Sequence, residues 1–501
     1  MSCSTTLLRK NVDGEKSDIT DTPSNDTEPT PYYYGQEAVV TFSPSLNDTR
    51  RAWILKKLRQ ERVNSVLDVG CGAGVLLGCL CNSPAFLNST DDKVEDKENT
   101  NIYRASTSDD GFPDLHISRI AGLDISSRAL EKCIINTTPL PVDYYLYMPR
   151  WQRLEAKIWR GSLDVYNPEF EDIECIVASE VIEHLPPSVL PAFAPTLLGL
   201  YRPRILLITT PNYAFNARFS APGTIDPAGF LDPTGRTSRV FRHHDHKFEW
   251  IPSEFKAWCE DAATTWGYNV EVDAAGLAME PDPWGRDDEL GCASQVALFR
   301  REKNWQGQRP VPPLASQESI HELLETHIHL PHPRAGVPES YEKICELVTK
   351  YMESYYFDDG YSVWDLWVES TISIACGGRL DVLLGAIEAS PVLCLARKKD
   401  AAAREWNVKF TRDKHREAVE GSKKWYWDRR YLQDDKTTQE EIECSAVESP
   451  KWPDPAQERY SLPDHEDEEQ VSSSRDDWVT GKVLSMGKDE TKTKDVCAWK
   501  T

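Results

Sequence analysis

Ser65-Val-Leu-Asp-Val-Gly-Cys-Gly-Ala-Gly-Val-Leu-Leu77 is the stretch whose reading decides the fold. An apolar, β-branched run from Ser65 to Val69 meets three alternating glycines, Gly70, Gly72 and Gly74, and the helical Val75-Leu76-Leu77 opens directly after them. A strand that hands over to a helix through such a turn lets the backbone pass close beneath a ligand. An ordinary tight strand-to-helix turn uses glycines too, so the neighbouring segments have to carry the distinction.

Working outward, a helix containing Trp53, Ile54 and Leu58 precedes this run. The apolar runs Ile120 to Ile125, Ile173 to Ala178 and Ile205 to Thr209 follow it, with helical patterns between them. Strands alternating with helices imply a parallel sheet covered on both faces. After a helix from Ser253 to Trp266, the strands Tyr268 to Val272 and Ser294 to Phe299 follow with little helix between them, which predicts a hairpin-like ending. The expected architecture is therefore α/β and Rossmann-like, with a mostly parallel seven-stranded sheet spanning residues 31–303.

Polar, acidic sequence from about 82 to 118, with Asp91, Asp92, Glu95, Asp96 and Glu98, reads as a surface insertion into that domain. Residues 315–430 show helical spacing at Ile320, Leu323, Leu324, and again at Leu380, Leu383, Leu384 and Ile387, and predict a helical accessory region. Residues 1–30 and 434–501 have the composition of disordered tails. The net charge of −24 excludes a protein that grips long nucleic acid by its overall field, while leaving recognition of an end open. Thirteen cysteines without paired spacings read as free thiols in a reducing compartment. Neither a secretory pattern at the N-terminus nor an apolar run of about eighteen residues is found. The expectation is a soluble intracellular protein away from membranes, cytoplasmic in the first instance and nuclear in the second.

The spacing Gly-x-Gly-x-Gly differs from the Gly-x-Gly-x-x-Gly of dinucleotide binders and fits a methyltransferase using S-adenosylmethionine better than a dehydrogenase. Asp68, Gly70 and Gly72 are the candidate cofactor residues of this loop. Asp124 ends the next strand, where a carboxylate can accept hydrogen bonds from both ribose hydroxyls, although Asp-Ile-Ser-Ser would also cap a helix. Ser162 lies where the third strand should end and is the candidate adenine contact.

Glu180-Val-Ile-Glu183-His184 follows a strand and so lies at the carboxyl edge of the sheet, where positions i, i+3 and i+4 of a helix share a face. Two carboxylates and an imidazole suit Mg²⁺, Mn²⁺ or Co²⁺. A second cluster, Phe241-Arg-His-His-Asp-His-Lys-Phe-Glu-Trp250, offers several imidazoles, one of which would complete four protein ligands.

Together with Thr210-Pro-Asn-Tyr213 and Phe215-Asn216, these two clusters resemble the signature set of the Hua-enhancer type small RNA 2′-O-methyltransferases over roughly residues 30–300. The resemblance implies methylation of the 3′-terminal nucleotide of a small RNA and a metal held by Glu180, Glu183, His184 and His246. His184 or His243 would take the 2′-hydroxyl proton, and Arg242 and Lys247 would meet the terminal phosphate. No double-stranded RNA-binding domain like that of the plant members is recognisable. A single-stranded 3′ end, presented by an Argonaute-type protein, is the expected partner. Two alternatives stand beside this reading: a metal-independent methyltransferase of a small molecule or protein, and an inactive RNA-end-binding scaffold.

Overall fold

A computed structural model describes residues 39–87, 114–140, 149–224 except 172, 229–310, 321–398 except 356 and 358, and 401–411. Both expected tails, most of the acidic insertion and the last part of the accessory region lie outside the described residues.

Helix α1 (Leu46–Gln60) starts at Ser45, whose hydroxyl accepts from the Asp48 N–H, and buries Ile54 and Leu58. Strand β1 (Ser65–Val69) is buried along its length and leads through the glycine turn into α2 (Val75–Leu80). Then come β2 (Arg119–Asp124), α3 (Ser127–Asn136), β3 (Leu154–Arg160), β4 (Cys175–Ser179) and β5 (Ile205–Pro211). The crossover from β4 to β5 is a π-helical segment, Pro195–Tyr201. A two-stranded ribbon, β6 (Phe230–Leu231) with β7 (Val240–Phe241), precedes α4 (Pro252–Trp266), and the domain ends in the antiparallel pair β8 (Tyr268–Ala275) and β9 (Ser294–Arg301).

Side chains of the central strands alternate between two apolar layers, as both-face burial requires. Leu67, Val69, Ile176, Ala178, Leu206 and Ile208 pack on one side, where α4 contributes Phe255 and Cys259. Val66, Val177, Leu207 and Leu298 pack on the other, with Ile54 and Leu58 of α1, Leu77 of α2 and Leu130 of α3.

The domain supplies the seven expected strands to the sheet, and the chain beyond it adds an eighth. The strand order is β10-β3-β2-β1-β4-β5-β9-β8, and β10 (Glu322–His329) runs antiparallel to β3 with Glu322 opposite Arg160. β10 contains Leu323 and Leu324, which together with Ile320, outside the described residues, suggested a helix. Three apolar positions are too few to set a period, and pairing with the open edge of β3 decides the conformation. The chain beyond β10 is mixed α and β. Helices α5 (Tyr341–Ser354), α6 (Val363–Trp367), α7 (Ser370–Ala375) and α8 (Leu380–Ala389) pack with a small sheet of β11 (Tyr361–Ser362), β12 (Leu393–Ala396) and β13 (Asn407–Phe410). They enclose a separate apolar cluster that includes Ile344, Leu366, Leu383 and Val408.

The insertion also begins later than its composition suggests. Phe86 is buried in that C-terminal cluster against Trp364 and Trp367, with ring centroids 6.0 and 4.9 Å away. The Ala85 carbonyl accepts from the indole N–H groups of both Trp151 and Trp367. The chain leaving α2 is thus a tie between the two cores. Phe86→Ala should lower global stability by about 3–5 kcal/mol, the usual cost of deleting a buried phenyl ring. Chemical denaturation checks this, and an unchanged midpoint would remove Phe86 from the shared core.

Candidate active site

The strand order reverses between β1 and β4, so their carboxyl ends open a crevice of the kind that receives ligands in such sheets. On the β1 side, Gly72 and Gly74 have φ of +52° and +73°, the left-handed region that glycine occupies without strain. A side chain at Gly74 would strike Cys133 of α3, whereas a Cβ at Gly72 would project into open space. The Gly72 N–H donates to Asp124 Oδ2 at 2.8 Å, and Asp124 Oδ1 accepts from the Ser126 N–H at 2.8 Å. The helix cap is Ser126, whose hydroxyl accepts from the Ala129 N–H at 3.3 Å, so Asp124 is not spent on capping. Asp68 is buried within β1, and its carboxyl is pushed up to about 8 by burial first and by Asp124 second. Ser162 follows β3 as expected, and its carbonyl accepts from His321 Nε2 at 2.8 Å. An open Cβ direction at Gly72, flanked by a carboxylate with lone pairs to spare, fits the ribose end of a nucleoside cofactor.

On the β4 side, the segment Glu180 to His184 is not the α-helix expected. Glu180 takes a left-handed φ of +56°, and a single 3₁₀ turn, Ile182–His184, follows it. Pro186 and Pro187 stop further helix. A non-glycine residue at such a φ is strained, and the strain sits at the carboxyl end of β4. Glu180 accepts from the Thr209 hydroxyl at 2.8 Å and pairs with Arg50 of α1 at 3.0 Å. Glu183 is fully buried. Its Oε2 accepts from the Thr210 hydroxyl at 3.0 Å, and its Oε1 has no hydrogen-bond partner among the described residues. Burial, with Glu180 next in weight, raises the Glu183 carboxyl well above the usual carboxylate range.

The Phe241 to Trp250 loop closes over this pair. The Lys247 N–H donates to the Glu183 carbonyl at 2.7 Å, and the Tyr213 N–H and Gln295 amide both donate to the Trp250 carbonyl. One ring nitrogen from each of His184, His243 and His246 falls within 4.8 Å of the others. Their hydrogen bonds sort them. His246 Nδ1 meets Glu249 Oε1 at 2.6 Å, and Glu249, buried, is itself held by the Asn216 amide at 2.7 Å. His184 Nδ1 lies 3.3 Å from Asp245 Oδ2, without the alignment of a full hydrogen bond. Carboxylates at Nδ1 favour the tautomer that leaves the Nε2 lone pair open, the arrangement typical of metal-binding histidines. His243 is different, because its Nδ1 accepts from the Asp245 N–H at 3.2 Å, which puts the proton of the neutral ring on Nε2. It is placed as a donor. Burial and the neighbouring imidazoles hold both His184 and His243 below the usual histidine range, hence neutral at pH 7.

An orphaned buried carboxylate oxygen and two histidines with open Nε2 positions suit a hard or borderline divalent cation. Of the two expected phosphate contacts, Arg242 lies with its guanidinium 3.6 Å over the Phe219 ring and lines a cavity of about 270 Å³ with Tyr213, Asn216, Ser220 and Arg286. Lys247 is paired instead with Asp245 at 2.9 Å. Sequence reading gave no role to Arg50, Thr209, Thr210 or Glu249. The paired threonines ending an otherwise apolar strand were the available signal; Arg50 on an unremarkable helix offered none.

No family model matches the chain. It is 28% identical over 263 residues to a small RNA 2′-O-methyltransferase of Arabidopsis thaliana, covering 52% of this chain and 23% of that protein. A small RNA 2′-O-methyltransferase of Schizosaccharomyces pombe is 28% identical over 276 residues, 53% of this chain and 63% of that protein. The chain thus spans less than two thirds of the length of either relative. A crystal structure of a small RNA methyltransferase aligns with 59% of this chain and 30% of its own, at 25% identity and a TM-score of 0.39.

Glu249→Gln, which removes the carboxylate behind His246, should weaken Mn²⁺ binding by about 10- to 100-fold, the usual effect of losing such a partner. His243→Gln should leave it unchanged. Calorimetric titration checks both, and equal losses would mean that the tautomer assignment is wrong.

Proposed function

We propose that this chain is an S-adenosylmethionine-dependent methyltransferase that methylates the 2′-hydroxyl of the 3′-terminal ribose of a small RNA, with one divalent cation, Mg²⁺, Mn²⁺ or Co²⁺, in its site. The observation that carries the proposal is one of placement. A glycine turn hydrogen-bonded to the carboxylate of Asp124 and a turn carrying Glu180 and Glu183 lie on opposite sides of the same crevice, at the ends of β1–β2 and β4, and His184 of the second turn converges with His243 and His246. The names of the relatives support the same reaction.

In this reading Asp124 accepts from the cofactor ribose hydroxyls while Gly70 and Gly72 pass beneath its methionine end. Glu180, Glu183, His184 and His246 would hold the cation, which would supply Lewis acidity toward the 2′-hydroxyl of the terminal ribose, whose vicinal hydroxyls occur together only at an RNA 3′ end. His243 donates from Nε2 toward the terminal nucleotide, and Arg242, standing in the adjoining cavity, takes its phosphate. His184 Nε2 cannot serve both as ligand and as proton acceptor, so the ligand role leaves the proton to solvent or to a substrate phosphate. We extend the proposal to a single-stranded end handed over by an Argonaute-type protein, because no segment of the sequence is recognisable as a double-stranded RNA-binding domain. Cysteines that are all free thiols among the described residues favour a reducing compartment, the cytoplasm before the nucleus. No described helix is long and apolar enough to cross a membrane.

Matched synthetic RNAs ending in ribose, 2′-deoxyribose or 3′-deoxyribose, assayed with labelled S-adenosylmethionine, test the reaction. The first should be labelled, the second not at all and the third poorly. A chelator should abolish labelling and added Mg²⁺ or Mn²⁺ restore it. Labelling of the 2′-deoxy end, or indifference to the chelator, would overturn the proposal.

Asp124→Asn tests the cofactor side. Losing charge-assisted hydrogen bonds worth about 1.5–3 kcal/mol should raise the dissociation constant for S-adenosylmethionine roughly 10- to 100-fold, with RNA affinity unchanged. Parental cofactor affinity in this variant would take Asp124 out of the site.

A further inference from the structure

We propose that His321, immediately before the strand that the C-terminal region adds to the sheet, is a positioning residue for the adenine end of the cofactor; this rests on the methyltransferase reading above. Register brings it there, since Glu322 lies opposite Arg160 and the residue before Glu322 therefore abuts Gly161, at the carboxyl edge of β3. The approach is close enough to require glycine: a Cβ at Gly161 would lie 2.2 Å from His321 Cδ2.

Two hydrogen bonds pin the turn after β3 from opposite sides. The Gly161 N–H donates to the Asp124 carbonyl at 3.0 Å, tying the turn to the strand that carries the ribose carboxylate. From the other side His321 Nε2 donates at 2.8 Å to the Ser162 carbonyl, which also accepts from the Val165 N–H at 3.1 Å. Phe170 backs the imidazole at a centroid distance of 5.5 Å, and Trp159 backs Phe170. A cofactor whose ribose is held by Asp124 at the end of β2 projects its base over the end of the adjacent strand, β3, and therefore onto this turn.

The imidazole is not there merely as filling. It is 4% exposed, and its Nδ1 is buried without a hydrogen-bond partner among the described residues. An apolar side chain would avoid that cost. What the histidine supplies in exchange is the N–H that fixes the Ser162 carbonyl.

The experiment compares His321→Leu, which removes the donor, with His321→Gln, which keeps an N–H able to reach the carbonyl, in the full chain. S-adenosylmethionine and its inosine-containing analogue are titrated by calorimetry, RNA KM is measured, and thermal melting is recorded. The Leu variant should bind S-adenosylmethionine about tenfold more weakly, the scale of one lost hydrogen bond, and the Gln variant should recover most of it. Affinity for the inosine analogue and RNA KM should hardly move. Parental affinity in the Leu variant, or equal losses in both variants, overturns the proposal. So does weakening that extends equally to the inosine analogue. If the parent itself binds no S-adenosylmethionine, the methyltransferase reading has failed, a result distinct from any of these.

Discussion

Two carboxylates placed where water barely reaches are the constraint around which this molecule is organised. Glu183 is fully buried and Glu180 half-buried, and removing charged groups from water costs several kcal/mol each unless partners compensate. Arg50 and Thr209 answer Glu180, Thr210 answers Glu183 Oε2, and Oε1 remains as an orphan among the described residues. Much of the surrounding architecture serves this pair. The left-handed turn at Glu180 carries the first carboxylate, two prolines keep the turn short, and the backbone of Lys247 clips the histidine loop onto Glu183. A carboxylate pair so constructed is unfavourable by itself, and the fold bears that cost.

The two lips of the crevice were unequally legible in the sequence. Ser65 to Leu77 could be read directly because its strand, turn and helix are adjacent and each uses residues with narrow conformational preferences. Asp124 could be placed despite the acidic insertion, since it closes an apolar run. The Glu180 to His184 segment stood out by residue type, but its geometry did not: an i, i+3, i+4 pattern suggested a helix where the chain makes a strained turn. Which histidine points an open nitrogen at the site depends on Glu249, Asp245 and a backbone N–H, partners that only the folded loop brings together.

The C-terminal region shows the opposite case. Its helical stretch around Leu380 to Ile387 was read correctly from periodicity, and the structure has α8 there. Its first element was misread, because β10 becomes a strand through its partner rather than its own pattern. Phe86 was likewise assigned to a surface insertion from the acidity of its neighbours, although its ring belongs to a core built roughly 260 or more residues later in the chain. Local composition cannot report a contact of that range.

That long reach has a kinetic side. Joining Arg160 to Glu322 closes a loop of about 160 residues, an event that slows folding and comes late in synthesis. Until β10 emerges from the ribosome, β3 offers an unpaired strand edge to any extended chain nearby. The nascent protein therefore passes through a period in which most of its central sheet has been made yet one flank stays open to wrong partners. The last strand of the central sheet to arrive seals that flank and brings His321 with it, so protection from misassembly and completion of the β3 turn happen in one step.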